Sequence, residues 1–399
     1  MNKATIDDVD VRGKRVLLRV DFNVPMRDGT IVDDRRIREA VPTIRALRER
    51  GASVIVVTHL GRPKGRRDDT LSVQPLAAGL AKHLDGVQVE VATDVAGDDS
   101  RRRAESLDGK SVLMLENVRF EPGEERNDPE LARRLASLAD LYVNDAFGTA
   151  HRAHASTEGV AHLLPAVAGY LMARELEVLS AVLEDPRRPL VAIIGGAKIS
   201  SKVGVVEHLL ARVDTLWIGG AMASTFFRAQ GAATGKSLVE EDQVETARRL
   251  LEHAHATTAQ LKPPIDLVVA GEIKAGTGTA VVGWQAIPDF DIVVDVGPET
   301  VARIAADVQA AGTVVWNGPL GIYEIEDFAQ GTRAVARALA ETAAQTIVGG
   351  GDLAAALEDS GVAERIDHIS TGGGATIEYL EGRSLPGVAA LLDRDRVAR

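Results

Sequence analysis

The sequence contains no cysteine, which excludes disulfides, thiolate zinc sites and a cysteine nucleophile. It also lacks an excess of basic charge: 46 Lys and Arg stand against 58 Asp and Glu, a net charge of −12. A nucleic-acid binder usually carries a basic stripe, so no nucleic-acid partner is expected, and any anion site must be a local gathering of basic groups. No run of about 18 apolar residues occurs, so no membrane partner is expected. The start, Met1-Asn2-Lys3-Ala4-Thr5-Ile6-Asp7-Asp8, has no apolar signal core, which makes a cytoplasmic protein the default. At 399 residues, with 45% hydrophobic and 26% charged residues, the chain has the make-up of a globular enzyme and is too long for one ordinary core.

What the chain does have is a series of short apolar runs that stop at glycine. In the second half, 191–194 runs into Gly195-Gly196-Ala197-Lys198, 216–218 into Gly219-Gly220, and 267–270 into Gly271. Likewise 314–316 meets Asn317-Gly318-Pro319, 347–348 meets Gly349-Gly350-Gly351-Asp352, and 366–369 meets Ser370-Thr371-Gly372-Gly373-Gly374. Such runs, followed by helix-like sequence, read as parallel strands with their loops gathered at the carboxyl ends. Open α/β sheets bind ligands at that edge. Glycine there lets backbone N–H groups approach an anion, and a following helix N-terminus favours negative charge. One such glycine more often merely ends a strand; the series points to a polyphosphate site.

The first half alternates in the same way, with strands over 15–20, 53–58, 87–91, 112–115 and 141–143. Helices are read over 35–50, which contains Pro42, over 73–83, with Pro75 near its first turn, and over 129–138. The expected fold class is α/β, with two doubly wound parallel-sheet lobes joined by a helix and hinge. Residues 1–170 form the first lobe, 171–189 the joining helix and hinge, and 190–384 the second lobe. The break Asp185-Pro186-Arg187-Arg188-Pro189 marks the boundary, and the tail 385–399 returns to pack on the first lobe.

The first lobe carries arginines where its strands end. Arg19-Val20-Asp21-Phe22-Asn23-Val24-Pro25 closes the first strand, Thr58-His59-Leu60-Gly61-Arg62-Pro63 the second, and Glu116-Asn117-Val118-Arg119-Phe120 a later one. The last is followed by 144–154, with His151, Arg152 and His154, and Arg36 begins the helix after the first strand. Guanidinium forks grip phosphate and carboxylate bidentately, so converging arginines suit a small, multiply anionic substrate. Any one of them alone reads better as a surface solubiliser. His151 and His154 lack an obvious third metal ligand and have Arg152 between them, so they read as anion contacts or packing. The segment Gly231-Ala232-Ala233-Thr234-Gly235-Lys236-Ser237 imitates a Walker A loop, but Gln230 stands where its first glycine belongs and a helix precedes it. Arginines on one lobe and glycine loops with lysine on the other, without an acid–base dyad, suit phosphoryl transfer between groups already ionised at neutral pH. Such transfer needs in-line positioning and neutralised charge.

These segments together resemble phosphoglycerate kinase along nearly the whole chain, most specifically at 19–25, 59–63, 115–120, 143–154, 195–202, 316–324, 349–352 and 370–375. The resemblance implies a glycolytic, ATP-binding transferase that moves the acyl phosphate of 1,3-bisphosphoglycerate to ADP with Mg²⁺, as a monomer whose hinge closes. It implies that Asp21, Asn23, His59, Arg62, Arg119 and Arg152, with Phe22, Leu60 and Gly61, bind 3-phosphoglycerate. Arg36 belongs to that set and to the catalytic one, with Lys198, Gly373 and Gly374. On the nucleotide side it implies Lys202, Glu324, Gly350, Gly351, Asp352 and Leu353, with Asp352 holding the metal. Three positions depart from the family pattern: Leu353 in place of Thr or Ser, Ala221 in place of a glycine, and Val293 where a glycine often lines the base pocket. All three are expected on the nucleotide side, which leaves ATP-versus-GTP preference open. A kinase for another small carboxylate and a non-catalytic nucleotide binder are the alternatives. The number of arginines argues against the first, and the intact Arg36, Lys198, Lys202 and Asp352 against the second.

Overall fold

The computed structural model describes residues 2–397. The chain divides into two compact units, Met1–Glu177 with Ser384–Arg399, and Val178–Arg383. The first is built on a six-stranded sheet ordered Val89–Val91, Val112–Met114, Ser53–Val57, Arg15–Arg19, Leu141–Asn144, Ala166–Ala168. Every neighbouring pair in it is parallel. Strand Ser53–Val57 reads Ser-Val-Ile-Val-Val with its last four residues buried, as a strand covered on both faces must be. Helix Arg35–Glu49 packs Ile37, Ala40, Val41, Ile44 and Leu47 into the same core, at the spacing of one helical face. Its Pro42 is exposed, so the carbonyl that loses its helical partner lies on the water side. The C-terminal residues complete this unit: Ala4 N donates to Leu392 O at 2.9 Å, Gly387 N to Ala150 O at 2.8 Å, and Lys3 Nζ to Leu391 O at 2.8 Å.

The second unit has its own six-stranded sheet, ordered Gln260–Lys262, Thr215–Ile218, Leu190–Ile194, Thr313–Asn317, Gln345–Gly349, His368–Ile369, again all parallel. Trp217, Trp316, Ile304, Leu339 and Leu357 share one core on it. One expected parallel strand is absent from this sheet. Residues 267–270 lie in Asp266–Ala270, which pairs antiparallel with Thr279–Gly283 and Ile292–Val296 in a separate three-stranded sheet. The reason is chain length. Only 271–278 separates Asp266–Ala270 from Thr279–Gly283, and a parallel crossover needs about a dozen residues or more. The edge place is taken instead by Gln260–Lys262, after which Pro263-Pro264 offers no backbone donors to extend it.

In each six-stranded sheet the chain starts at one central strand and fills one side of it before the other. The switch falls between Arg15–Arg19 and Leu141–Asn144 in the first unit, and between Leu190–Ile194 and Thr313–Asn317 in the second. Loops leaving such a pair of strands diverge and open a crevice at their carboxyl ends.

Candidate active site

At the first crevice, Arg19 ends its strand with a fully buried side chain among apolar neighbours. A buried guanidinium must be hydrogen-bonded, and this one is. Its Nε donates to Ser156 Oγ at 2.9 Å, Nη1 donates to Val20 O, and Nη2 lies 3.2 Å from His59 Nδ1. Arginine only donates, so Nδ1 accepts and the His59 ring proton resides on Nε2. Burial, followed by the charges of Arg19, Arg119, Arg36 and Arg152, holds His59 well below the usual imidazole range, so the ring is neutral at pH 7. His154 is pushed down to about 4, by burial and then by Arg119, Arg19 and Arg152. The positive charge here is therefore carried by guanidinium groups.

Each arginine is oriented by its loop. Arg36 Nη1, on the first turn of Arg35–Glu49, donates to Asp21 Oδ2 at 2.9 Å and to Asn23 O at 3.2 Å. Asn23 Oδ1 accepts from Gly61 N at 2.9 Å, and Arg119 Nη1 donates to Gly61 O at 2.7 Å, which ties three strand-end loops together. Arg152 Nε donates to His151 Nε2 at 3.1 Å. Arg36, His59, Arg119 and Arg152 are thus gathered within one another's electrostatic reach. Arg62 is exposed and has no ion pair among the described residues. Phe22 and Leu60 place their side chains in the apolar core, so only their backbone is available to a ligand. Sequence reasoning passed over Arg19, Ser156 and Glu124. Ser156 Oγ donates to Glu124 Oε1 at 2.6 Å, and burial raises the Glu124 pKa. The signal for Arg19 was present, as a charged residue completing the apolar run Val16-Leu17-Leu18.

The second crevice opens into a pocket of about 290 Å³. Gly196, Ala197, Gly220 and Ala221 line it from two strand-end loops, with Val293 and Asp295 from strand Ile292–Val296. Glu324 and Asp352 also line it and are exposed. Ala221 and Val293 therefore bound the pocket, whereas Leu353 does not. Its side chain is fully buried in the core with Trp316 and Leu357, leaving only its backbone toward the loop. Asp295 is buried, accepts from Gly331 N at 2.6 Å and Val296 N at 2.8 Å, and is pushed up to about 7 by burial. Lys202 is buried with Nζ hydrogen-bonded to Asn317 Oδ1, and burial lowers its pKa to about 8 against the opposing pull of Glu381 and Asp352. Lys198 is exposed in the loop after Leu190–Ile194.

The strand-end glycines divide into two kinds. A Cβ on Gly195 would lie 2.2 Å from Pro319 O, and one on Gly220 would lie 2.4 Å from Gly196 O, so these glycines let neighbouring loops touch. Around Gly351 and Gly373 a Cβ would meet nothing within 4 Å, which leaves open space. Gly350 (φ 105°) precedes helix Gly351–Asp359, and Gly373 (φ 52°) precedes Gly374–Leu380. Asn317 was also passed over. Its buried Nδ2 has no hydrogen-bond partner and lies 3.7 Å from the Cβ position of Gly350. An unsatisfied buried donor beside a glycine loop is a ready contact for an anion.

A family model described as phosphoglycerate kinase matches residues 6–383. The chain belongs to the phosphoglycerate kinase family. It is 55% identical over 394 residues to the phosphoglycerate kinase of Moorella thermoacetica, covering 99% of this chain and all of that one. It is 53% identical over 400 residues to that of Chloroflexus aurantiacus, with 99% and 100% covered. Among solved structures, phosphoglycerate kinase from Coxiella burnetii superposes with a TM-score of 0.88 at 41% identity over the whole of both chains. The enzyme from Pyrococcus horikoshii gives 0.87 at 33%, with 99% of this chain and all of that one covered. Phosphoglycerate kinases exchange a phosphoryl group between 1,3-bisphosphoglycerate and ADP, and the chain is a phosphotransferase of that kind.

Proposed function

We propose that the arginine cluster of the first unit holds 3-phosphoglycerate, that the 290 Å³ pocket of the second holds the nucleotide, and that phosphoryl transfer between them is direct and in line. The observation that carries this reading is the convergence of Arg19, Arg36, Arg119 and Arg152 on a neutral His59. A ligand with a phosphate and a carboxylate matches that charge, and the Nε2–H of His59 adds a neutral donor. Both reacting oxygens are ionised at neutral pH, so no general base is needed, and Arg36 is the group assigned to the phosphoryl in flight. Holding the two reactants in line supplies up to about 7–11 kcal/mol of the rate enhancement. Closure of the hinge over 171–189 would exclude water, which otherwise competes for the phosphoryl group.

On the nucleotide side, Glu324 is assigned to the ribose, Lys202 and the N–H groups of Gly350, Gly351 and Leu353 to the phosphates, and Lys198 with Gly373 and Gly374 to the transferring group. The residues present fit Mg²⁺ in one particular way. Among the described residues no three His, Cys, Asp or Glu form a cation site, whereas Asp352 is exposed at the pocket beside the glycine loop. Mg²⁺ is commonly held by one or two carboxylates together with substrate phosphates, so Asp352 would hold it jointly with the nucleotide. The ion supplies charge neutralisation to the phosphates when bound. No helix among the described residues is long and apolar enough to cross a membrane. A cytoplasmic monomer is proposed from the family, and sedimentation of the purified chain checks the monomer.

The decisive test is 3-phosphoglycerate-dependent ADP formation from ATP and Mg²⁺, run with GTP in parallel because Ala221 and Val293 line the base pocket. A purified, folded chain without that activity would overturn the proposal.

A further inference from the structure

The Val178–Arg383 unit has a second hollow, of about 550 Å³, that shares no lining residue with the nucleotide pocket. One side is the end of edge strand Gln260–Lys262 and the residues after it, Pro263 and Ile265; the other is helix Pro298–Ala310, through Arg303, Ala306 and Asp307. Trp217, paired with Lys262 across the two strands, lies between them. The polar groups are fixed in advance. Asp307 Oδ2 accepts from Trp217 Nε1 at 2.8 Å and from Lys262 Nζ at 2.8 Å, and that ammonium sits 5.3 Å from the centre of the indole. Lys262 and Asp307 therefore cancel each other's charge. Arg303 is the cation left over. Its partner Glu299, at 2.8 Å, forms an exposed pair one helical turn away, and such pairs hold a guanidinium weakly.

A hollow of this volume, with an apolar lining and one recruitable guanidinium, has the make-up of a small-molecule site. A polyphosphate is a poor match, since there is one weakly paired cation and no glycine loop. An organic cation would meet Lys262 and Arg303. A flat ring suits the surface made by the indole, Pro263, Ile265 and Ala306, and a carboxylate suits the planar fork of Arg303. We propose that this hollow binds a planar aromatic monocarboxylate, its ring against Trp217, Pro263 and Ile265 and its carboxylate on Arg303, at a site separate from that of the nucleotide.

The test is calorimetric titration of the full chain with 2-naphthoate, with and without saturating MgADP. One saturable site that MgADP leaves unchanged is expected. Arg303→Ala should weaken it about tenfold or more, since a hydrogen bond to a charged group is lost, and the neutral 2-naphthylmethanol should bind the original chain about as weakly. Ala306→Trp should abolish binding by filling the hollow. Arg303 and Ala306 are both exposed, so unchanged kinase turnover will verify that the variants fold. Absence of binding overturns the proposal, as does displacement of the probe by MgADP. Loss in Ala306→Trp with none in Arg303→Ala also overturns it, because the site would then take apolar ligands without recognising the acid.

Discussion

Arg36 is tied to Asp21 at 2.9 Å, yet a third of its side chain stays exposed, so the guanidinium is oriented without being spent on the fold. Removing it should cost little stability and most of the rate. By analogy with arginines that stabilise a phosphoryl group in flight, Arg36→Ala is expected to lower kcat by about 10³-fold or more. Steady-state kinetics beside an unchanged denaturant midpoint would check this; a variant within tenfold of the original would remove Arg36 from the transferring group. Lys202 gives a pH signature. Burial lowers its pKa to about 8, so the ammonium is present below that pH and lost above it. Affinity of the free enzyme for ADP should therefore fall as pH rises from 7 to 9. Lys202→Arg, charged throughout, should flatten that dependence in a binding titration.

The loops and helix starts carry their own predictions. Gly220→Ala places a methyl 2.4 Å from Gly196 O at φ +69°, so it should destabilise the second unit by roughly 1–3 kcal/mol. Gly351→Ala meets open space in a helical position and should leave the unfolding midpoint nearly unchanged. It should still weaken ADP binding, because the methyl enters the space assigned to phosphate. Unfolding curves and ADP titrations of the two variants should thus move in opposite respects. Helix Tyr170–Glu184 starts against Asp145, a fully buried carboxylate that accepts from Met172 N at 3.1 Å and has no partner for Oδ2. Burial pushes its pKa up to about 6. The protonated form is favoured in the folded state, so stability present below about pH 4 is lost as pH rises through 6. Asp145→Asn removes that titration, and its stability relative to the parent should improve by up to about 3 kcal/mol between pH 4 and pH 7.5, read from urea unfolding. A pH-independent difference would show that Asp145 has the same pKa folded as unfolded.

At the scale of the whole molecule, the same architecture is used twice. Each unit has a parallel sheet whose chain order reverses beside a central strand, and each places its polar loops at that switch. The loops differ in chemistry: guanidinium groups in one, glycine N–H groups and a buried lysine in the other. A direct passage of the phosphoryl group between ligands held by these loops inverts configuration at phosphorus. A chiral thiophosphoryl substrate should therefore give inverted product, and retention would mean that a side chain is phosphorylated on the way.

The α/β class, the glycine loops and the arginines were legible in the sequence because their signals are local. Apolar runs of strand length, and the glycines or arginines in the loops after them, are properties of a few consecutive residues. Tertiary structure decided what depends on partners distant in the chain. It turned Asp266–Ala270 into an antiparallel sheet because too few residues follow it for a crossover, and it sent the Leu353 side chain into the core beside Trp316. It also made Arg19 and Asn317 members of the sites, through contacts with His59 from 40 residues away and Lys202 from 115. Residue type sets which chemistry is available; the pKa values, the orphan donor beside Gly350 and the split between structural and open glycines arise only when the folded chain brings those distant groups within a few ångströms and excludes water from them.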